Sequence, residues 1–301
     1  MRRSRYKNPQ EAFYHILTRV AGSPRYFPLH YRNASKKLLE ILLYYVRAYC
    51  CEMAAYKIMG NHYHIILFFE QYRRLSRPQL QNRAHLLYGR RAELKTGAWT
   101  DEAWNQFNHK LFDLSAMMQH INGEYAKWFN KHFNRRGHFW ADRYKNPELL
   151  DREALRECLL YVELNALRAG LVKRPEKWRA SSAWVRWRGQ DQDLIPLERI
   201  FPDIPKEELL KVYRSLLYER GGISNLKSRP SYRAAKFVTR LRFFTDGLAI
   251  GNKKNVGMRL EQLWTQGTYR HRKKPVSQLS GFLFTATEQR SHADSRFNQP
   301  K

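Results

Sequence analysis

The sequence predicts an α+β fold on three observations: a first strand followed closely by an amphipathic helix, a hairpin signal directly after that helix, and two later helical patterns with an extended segment between them. Residues 11–20, Glu-Ala-Phe-Tyr-His-Ile-Leu-Thr-Arg-Val, are rich in aromatic and branched side chains and read as a strand. Gly22, Ser23 and Pro24 then supply a turn. Over residues 34–50, Leu38, Leu39, Leu42, Leu43 and Val46 recur at helical spacing. Residues 51–59 look extended, Gly60-Asn61 is a two-residue turn signal, and His62 to Phe69 is the returning strand, so 51–69 is expected as a β-hairpin. Residues 70–110 are polar and basic and are expected as an insertion or a helical excursion. Leu114, Met117, Met118 and Ile121 mark a helix over 112–132. Residues 134–145 form a basic-aromatic segment around Gly137, with a strand expected in its second half. Asp151 is a favourable N-cap for a helix that runs to about Arg168 and stops at Gly170.

Beyond this point the punctuation changes. Residues 186–205 contain Pro196, Pro202 and Pro205 and read as a linker. Residues 206–220 read as a helix, and after Gly221-Gly222 the chain becomes basic and broken, with its densest charge run at Tyr269-Arg270-His271-Arg272-Lys273-Lys274. The expected organisation is a domain over 10–185 with an insertion at about 70–110, a linker over 186–205, and a basic, mostly helical or irregular extension over 206–301 whose end, from about 285, is disordered.

Lys and Arg total 55 against 27 Asp and Glu, a formal net charge of +28. The natural partner of such a surface is a polyanion, because phosphate contacts release condensed counterions. Aromatic residues interleave with the cations, as in Tyr125-Ala-Lys-Trp128-Phe129 and His138-Phe139-Trp140. Rings that stack on unpaired bases beside cations that hold phosphates suit single strands, although each ring taken alone also fits a core position. Hydrophobic residues make up 43%, which excludes a wholly disordered chain. There are three cysteines, Cys50, Cys51 and Cys158, and no CxxC pair. With no apolar signal-peptide core and no membrane-length apolar run, the expectation is a cytoplasmic, nucleoid-associated protein with no membrane partner.

Two local patterns carry chemistry. On a strand His62 and His64 face the same way and can grip one metal ion, while Tyr63 faces the core. A His-x-His pair alone also fits an incidental arrangement. On the helix ending near Arg168, Leu155, Cys158, Leu159, Val162 and Ala166 form the apolar stripe, and Tyr161 and Asn165 stack one turn apart beside it, continued by Arg168. By periodicity alone Tyr161 also fits a tyrosine at the core edge. Cutting a phosphodiester needs a nucleophile and charge stabilisation at the phosphate. A phenol is weak at neutral pH, and a divalent cation on two imidazoles would compensate. Two imidazoles are an incomplete site, and the Asn165 carbonyl oxygen could supply a third ligand.

Asn61-His62-Tyr63-His64-Ile-Ile-Leu resembles the HUH motif of the single-tyrosine transposases. Arg136-Gly137-His138-Phe139-Trp140-Ala-Asp-Arg143-Tyr144-Lys145 is similar to a basic-aromatic segment of that family, Tyr161-Val-Glu-Leu-Asn165-Ala-Leu-Arg168-Ala-Gly170-Leu-Val to its catalytic helix, and Trp178-Arg-Ala-Ser181-Ser182 to the segment that follows. The match covers roughly 10–185 and is nearest to the REP-associated tyrosine transposases, which act on single-stranded DNA with palindromic hairpins. Many relatives have Pro after the Asn, where this chain has Ala166.

The resemblance implies a ferredoxin-like antiparallel sheet with helices packed on one face and the His pair on a central strand. It implies Tyr161 as the nucleophile forming a 5′-phosphotyrosine, and His62, His64 and Asn165 as ligands of a divalent metal, Mg²⁺ or Mn²⁺. The candidate DNA contacts are Arg19, Arg135, Arg136, His138, Arg143, Lys145 and Arg168. The expected activity is nicking and rejoining of single-stranded or hairpin DNA. The alternatives are a non-cleaving hairpin-binding descendant, and another HUH nickase such as a relaxase or replication initiator. Tyr125 and Tyr144 are rival nucleophiles, and the expectation leaves a homodimer with shared sites open.

Overall fold

In the computed structural model, residue 8, residues 10–23 and 25–222, and two short strands at 242–243 and 249–251 are described. The charge run at 269–274 and the end expected to be disordered lie outside these residues. Strand β1 (Ala12–Arg19) leads to helix α1 (Arg32–Ala48), then to strands β2 (Cys51–Ile58) and β3 (His62–Phe69). The excursion carries α2 (Arg77–Tyr88), α3 (Ala92–Thr96) and α4 (Asp101–Leu111). Helix α5 (Leu114–His132), strand β4 (Glu148–Leu149) and helix α6 (Arg152–Arg168) follow. The described part ends with α7 (Ser182–Trp187), α8 (Leu197–Ile200), α9 (Lys206–Arg220), β5 (Arg242–Phe243) and β6 (Ala249–Gly251).

The strands lie in the order β2-β3-β1-β4, all antiparallel, and β6 extends the sheet parallel to β4 with β5 antiparallel at its edge. The β2–β3 turn closes through the Met59 amide on the His62 carbonyl at 2.8 Å. Gly60 sits where a Cβ would come within 2.9 Å of the Phe27 ring, so the turn needs its missing side chain.

Alternation along the strands separates two cores. Tyr14, Ile16, Tyr63, Ile65 and Leu67 meet α1 and α5 through Leu38, Leu42, Met117, Met118, Ile121 and Phe129. Ile66 and Phe13 on the other face meet α6 and α9 through Leu155, Leu159, Val162, Leu209 and Leu217. Helices therefore cover both faces, not one. The reason is that α6 and α9 each have an apolar side that needs a partner, and the second sheet face provides it.

Three local expectations resolve in different ways. The 70–110 stretch is helical and closes a satellite core of Leu80, Trp104, Phe107 and Leu111. The segment expected to hold a strand in its second half makes only isolated bridges, Trp140 to Val20 and Lys145 to Leu17, before β4. Asn134 and Gly137 adopt left-handed backbone there (φ 47° and 89°), and Pro147 has no amide to continue a ladder. The stretch expected as a linker is packed instead: Ile195, Leu197, Ile200 and Phe201 are buried, because its prolines flank apolar residues that reach the α6 core. The 178–182 segment clips the sheet edge. The Trp178 indole donates to the Ile58 carbonyl at 2.8 Å, and the Ile58 amide donates to the Ala180 carbonyl at 2.9 Å.

Candidate active site

The site is assembled on the sheet face covered by α6. In β3, residues 62 and 64 share that face, and Tyr63 is fully buried on the other, its hydroxyl donating to Asn122 Oδ1 at 2.8 Å. The β1–β3 register pairs Arg19 with His62 and Leu17 with His64, so Arg19 and His15 also look onto the His-pair face. Helix α6 starts where the Asp151 carboxylate accepts the Ala154 amide at 2.7 Å, and it ends at Gly170 with φ 71°. Between these ends its apolar residues are buried, which turns Tyr161 and Asn165 toward the histidines.

The distances define a tight cluster. The rings of His62 and His64 are 5.1 Å apart, and that of Tyr161 stands edge-on to His64 at 5.7 Å and to His15 at 5.9 Å. The Asn165 amide nitrogen is 3.2 Å from His64 Nε2, and His15 Nε2 is 2.9 Å from His64 Nδ1. His62 Nδ1 lies 2.8 Å from Asn61 Oδ1. Among the described residues the Tyr161 hydroxyl has no hydrogen-bond partner, which leaves it available. The Arg168 guanidinium lies over the Tyr161 ring, 5.3 Å from its centre.

Burial sets the protonation states. It lowers His15 to about 4, and burial plus the charge of Arg19 lowers His62 to about 4. His64 falls well below its ordinary value through burial first and then its neighbours His15, His62, Arg19 and Lys57. All three imidazoles are therefore neutral at pH 7, the state that ligates metals. Burial, with a smaller push from Cys158, raises Tyr161, while Arg168 and Arg19 pull it back. The phenol thus keeps its proton at neutral pH, with two cations placed to favour losing it.

These donors suit a borderline divalent cation: two imidazole nitrogens and one amide that can turn its oxygen inward. Among the described residues no group of three His, Cys, Asp or Glu side chains is arranged to hold a metal ion. Any third protein ligand at this cluster would be the Asn165 amide.

No protein-family model matches the sequence, and no curated protein matches it. The chain is similar in part to a solved structure. That structure is of a REP-associated tyrosine transposase bound to a REP hairpin, matched over 65% of this chain and 88% of that one at 15% identity, with a TM-score of 0.41.

The candidate DNA contacts divide into two groups. Arg19 and Arg168 belong to the cluster. Lys145 pairs with Leu17 and so shares the histidine face, with its side chain exposed, and Arg143, two residues before it, is also exposed. Arg135 lies elsewhere, over the rings of Tyr26 and Phe139, and Arg136 and His138 are exposed on the same turn. The rival phenols are in the opposite core: Tyr125 is fully buried and donates to the Ala34 carbonyl at 3.2 Å, and Tyr144 donates to Ser115 Oγ at 3.1 Å. No helix among the described residues is long and apolar enough to cross a membrane. The three cysteines are buried and unbridged.

Sequence reasoning missed the polar residues behind the cluster. His15 is one. Others are Lys57, which pairs with His64 across the β2–β3 ladder, and the buried Glu163, which accepts from Ser182 Oγ at 2.8 Å and from the Tyr213 hydroxyl and faces Arg186 at 3.7 Å. Strand periodicity puts His15 on one face of β1, but only the β1–β3 register says which histidine it meets.

Proposed function

We propose that this protein nicks and rejoins single-stranded DNA at hairpin-marked sites, with Tyr161 as nucleophile and a divalent cation, Mg²⁺ or Mn²⁺, held by His62, His64 and Asn165. The observation that carries the reading is the convergence of an unpartnered phenol, two neutral imidazoles and an amide within one small cluster. The preference for hairpins rests on the resemblance of the 61–67, 136–145 and 161–172 motifs to the single-tyrosine HUH transposases.

The bound cation would polarise the scissile phosphate and stabilise the leaving oxygen. Tyr161 Oη forms the new bond to phosphorus, and the bond from phosphorus to the 3′ oxygen breaks. The phenol releases one proton to solvent and the leaving 3′ oxygen takes one up, so the step balances. The 5′ phosphate stays on Tyr161, and attack by a free 3′ hydroxyl reverses the step with no ATP. Arg168 over the ring and Arg19 nearby favour the negative oxygen that develops. Lys145, Arg143, Arg135, Arg136 and His138 would hold backbone phosphates, which makes binding salt-dependent.

The test is incubation of wild type and Tyr161→Phe with Mg²⁺ or Mn²⁺ and a single-stranded oligonucleotide carrying a hairpin. The expected result is a covalent adduct on a denaturing gel for wild type, mapped to the Tyr161 peptide, and a loss of about 10³-fold or more in the variant. An adduct that survives Tyr161→Phe overturns the assignment. Tight binding with no adduct would instead favour a non-cleaving hairpin binder.

A further inference from the structure

The step described above leaves His15 without a role, yet His15 is buried and is the nearest neighbour of His64 on its far side. The two rings are nearly parallel, at 8°, with centres 5.1 Å apart. Their facing nitrogens are only 2.9 Å apart. That combination describes two rings lying edge to edge in a common plane, since the centre separation is close to the nitrogen separation plus the two ring radii. It is a linear N–H···N hydrogen bond rather than face-to-face stacking.

A neutral imidazole carries one proton, so its placement in this pair is a definite chemical question. At the other end of His64 the Asn165 amide nitrogen, which can only donate, lies 3.2 Å from Nε2. With that nitrogen facing it, His64 Nε2 is the lone pair and the proton sits on Nδ1, donated to His15 Nε2; a cation on Nε2, with the amide turned to offer its oxygen, requires the same tautomer. The opposite tautomer would put a hydrogen on the nitrogen that faces Asn165. His62 solves the same problem locally: Asn61 Oδ1, 2.8 Å away, accepts from its Nδ1. The neighbour of His64 in sequence faces the other core, so its acceptor has to come across the ladder from β1.

We propose that His15 is a positioning residue that holds His64 in the Nδ1–H tautomer and fixes its ring, keeping Nε2 free for a divalent cation. This inference rests on the metal reading of His62, His64 and Asn165. An outer hydrogen-bond partner of this kind fixes a ligand's tautomer, and its loss typically weakens metal binding about 10–100-fold.

The experiment compares wild type, His15→Phe and His15→Gln. Phe keeps bulk and the edge contact with Tyr161 but cannot accept a hydrogen bond; the Gln carbonyl can. Long-range ¹H–¹⁵N spectra of the metal-free proteins report the His64 tautomer, and Mn²⁺ titration followed by EPR reports affinity with no DNA present. The expected result is Nδ1–H in wild type and His15→Gln. In His15→Phe that tautomer is lost and Mn²⁺ affinity falls about 10–100-fold, while His15→Gln stays near wild type. A wild-type His64 protonated at Nε2 overturns the proposal, as does His15→Phe that binds Mn²⁺ like wild type. If His15→Phe does not fold, as judged by circular dichroism, the wild-type tautomer and His15→Gln still decide. Equal Mn²⁺ binding by wild type and His64→Ala would defeat the metal reading itself, an outcome the tautomer spectra distinguish from failure of His15.

Discussion

The two faces of one sheet are built to different rules although the same strands supply both. Toward α1 and α5 the strands present Tyr14, Ile16, Tyr63, Ile65 and Leu67, and the phenols that do occur reach partners, as Tyr63 does at Asn122. Toward α6 they present His15, His62, His64 and Lys57, and α6 answers with Tyr161, Glu163 and Asn165. Burying a polar group is unfavourable unless it is hydrogen-bonded, so the second face is held at a disadvantage that the first must offset. Such a division is expected when one face carries stability and the other chemistry.

The largest effects should separate the faces by kind. Phe129→Ala removes a fully buried ring from the apolar face and is expected to lower stability by about 3–5 kcal/mol in urea denaturation, with Mn²⁺ affinity of the folded fraction unchanged. On the other face, Arg186→Met strips the cation from buried Glu163 and is expected to cost about 3–5 kcal/mol near pH 8. Burial already raises Glu163, and Arg186 is foremost among the groups that hold it down. Without Arg186 the folded value climbs further, and a carboxyl raised in the folded state favours folding at low pH and loses that contribution as pH rises through the folded value. The Arg186→Met defect should therefore be smaller at pH 5 than at pH 8, whereas the Phe129→Ala defect should not follow pH in this way. Parallel pH profiles for the two variants would break the comparison.

Legibility in the sequence follows the same division. Strand β1, helix α1, the hairpin and α6 could be read because each has one apolar face and ordinary punctuation: Gly60 at the turn, Asp151 and Gly170 at the helix ends. His62, His64, Tyr161 and Asn165 could be singled out because each pair lies within one element. His15 could not, because its partner is 49 residues away and depends on strand register. Lys57, Glu163 and Arg186 each read as surface residues, and only the tertiary fold buries them together. Ser76-Arg-Pro-Gln79 is a capping box legible in the sequence, and it starts α2 in the stretch expected as an insertion or a helical excursion.

Lys57 sharpens the contrast at intermediate size. It is fully buried, and its ammonium has no hydrogen-bond partner among the described residues. Burial lowers it from 10.5 to about 7, and Glu163 only partly restores it. Between these values the unfolded chain takes up a proton that the folded chain refuses. Its stability contribution is therefore full above 10.5 and is lost as pH falls toward 7. Lys57→Met should raise stability at pH 7 by up to about 4 kcal/mol, with the gain shrinking as pH approaches 10.5. A gain that grows with pH would show that the lysine is charged and matched in the fold.

The smallest effect should come from ion pairs outside both faces. Arg199 holds Glu52 at 2.6 Å, yet both side chains are more than two-fifths exposed. Water already solvates both groups, and ordering two long side chains offsets most of the attraction. A double-mutant cycle of Arg199→Ala and Glu52→Ala is expected to give a coupling of about 0.2–1 kcal/mol that fades with added salt. The buried Glu163–Arg186 pair is longer, at 3.7 Å, but removing its arginine should matter several times more. Burial, not separation, then sets the penalty for a broken pair. A cycle at Arg199 that matches the Arg186→Met defect would reverse that order.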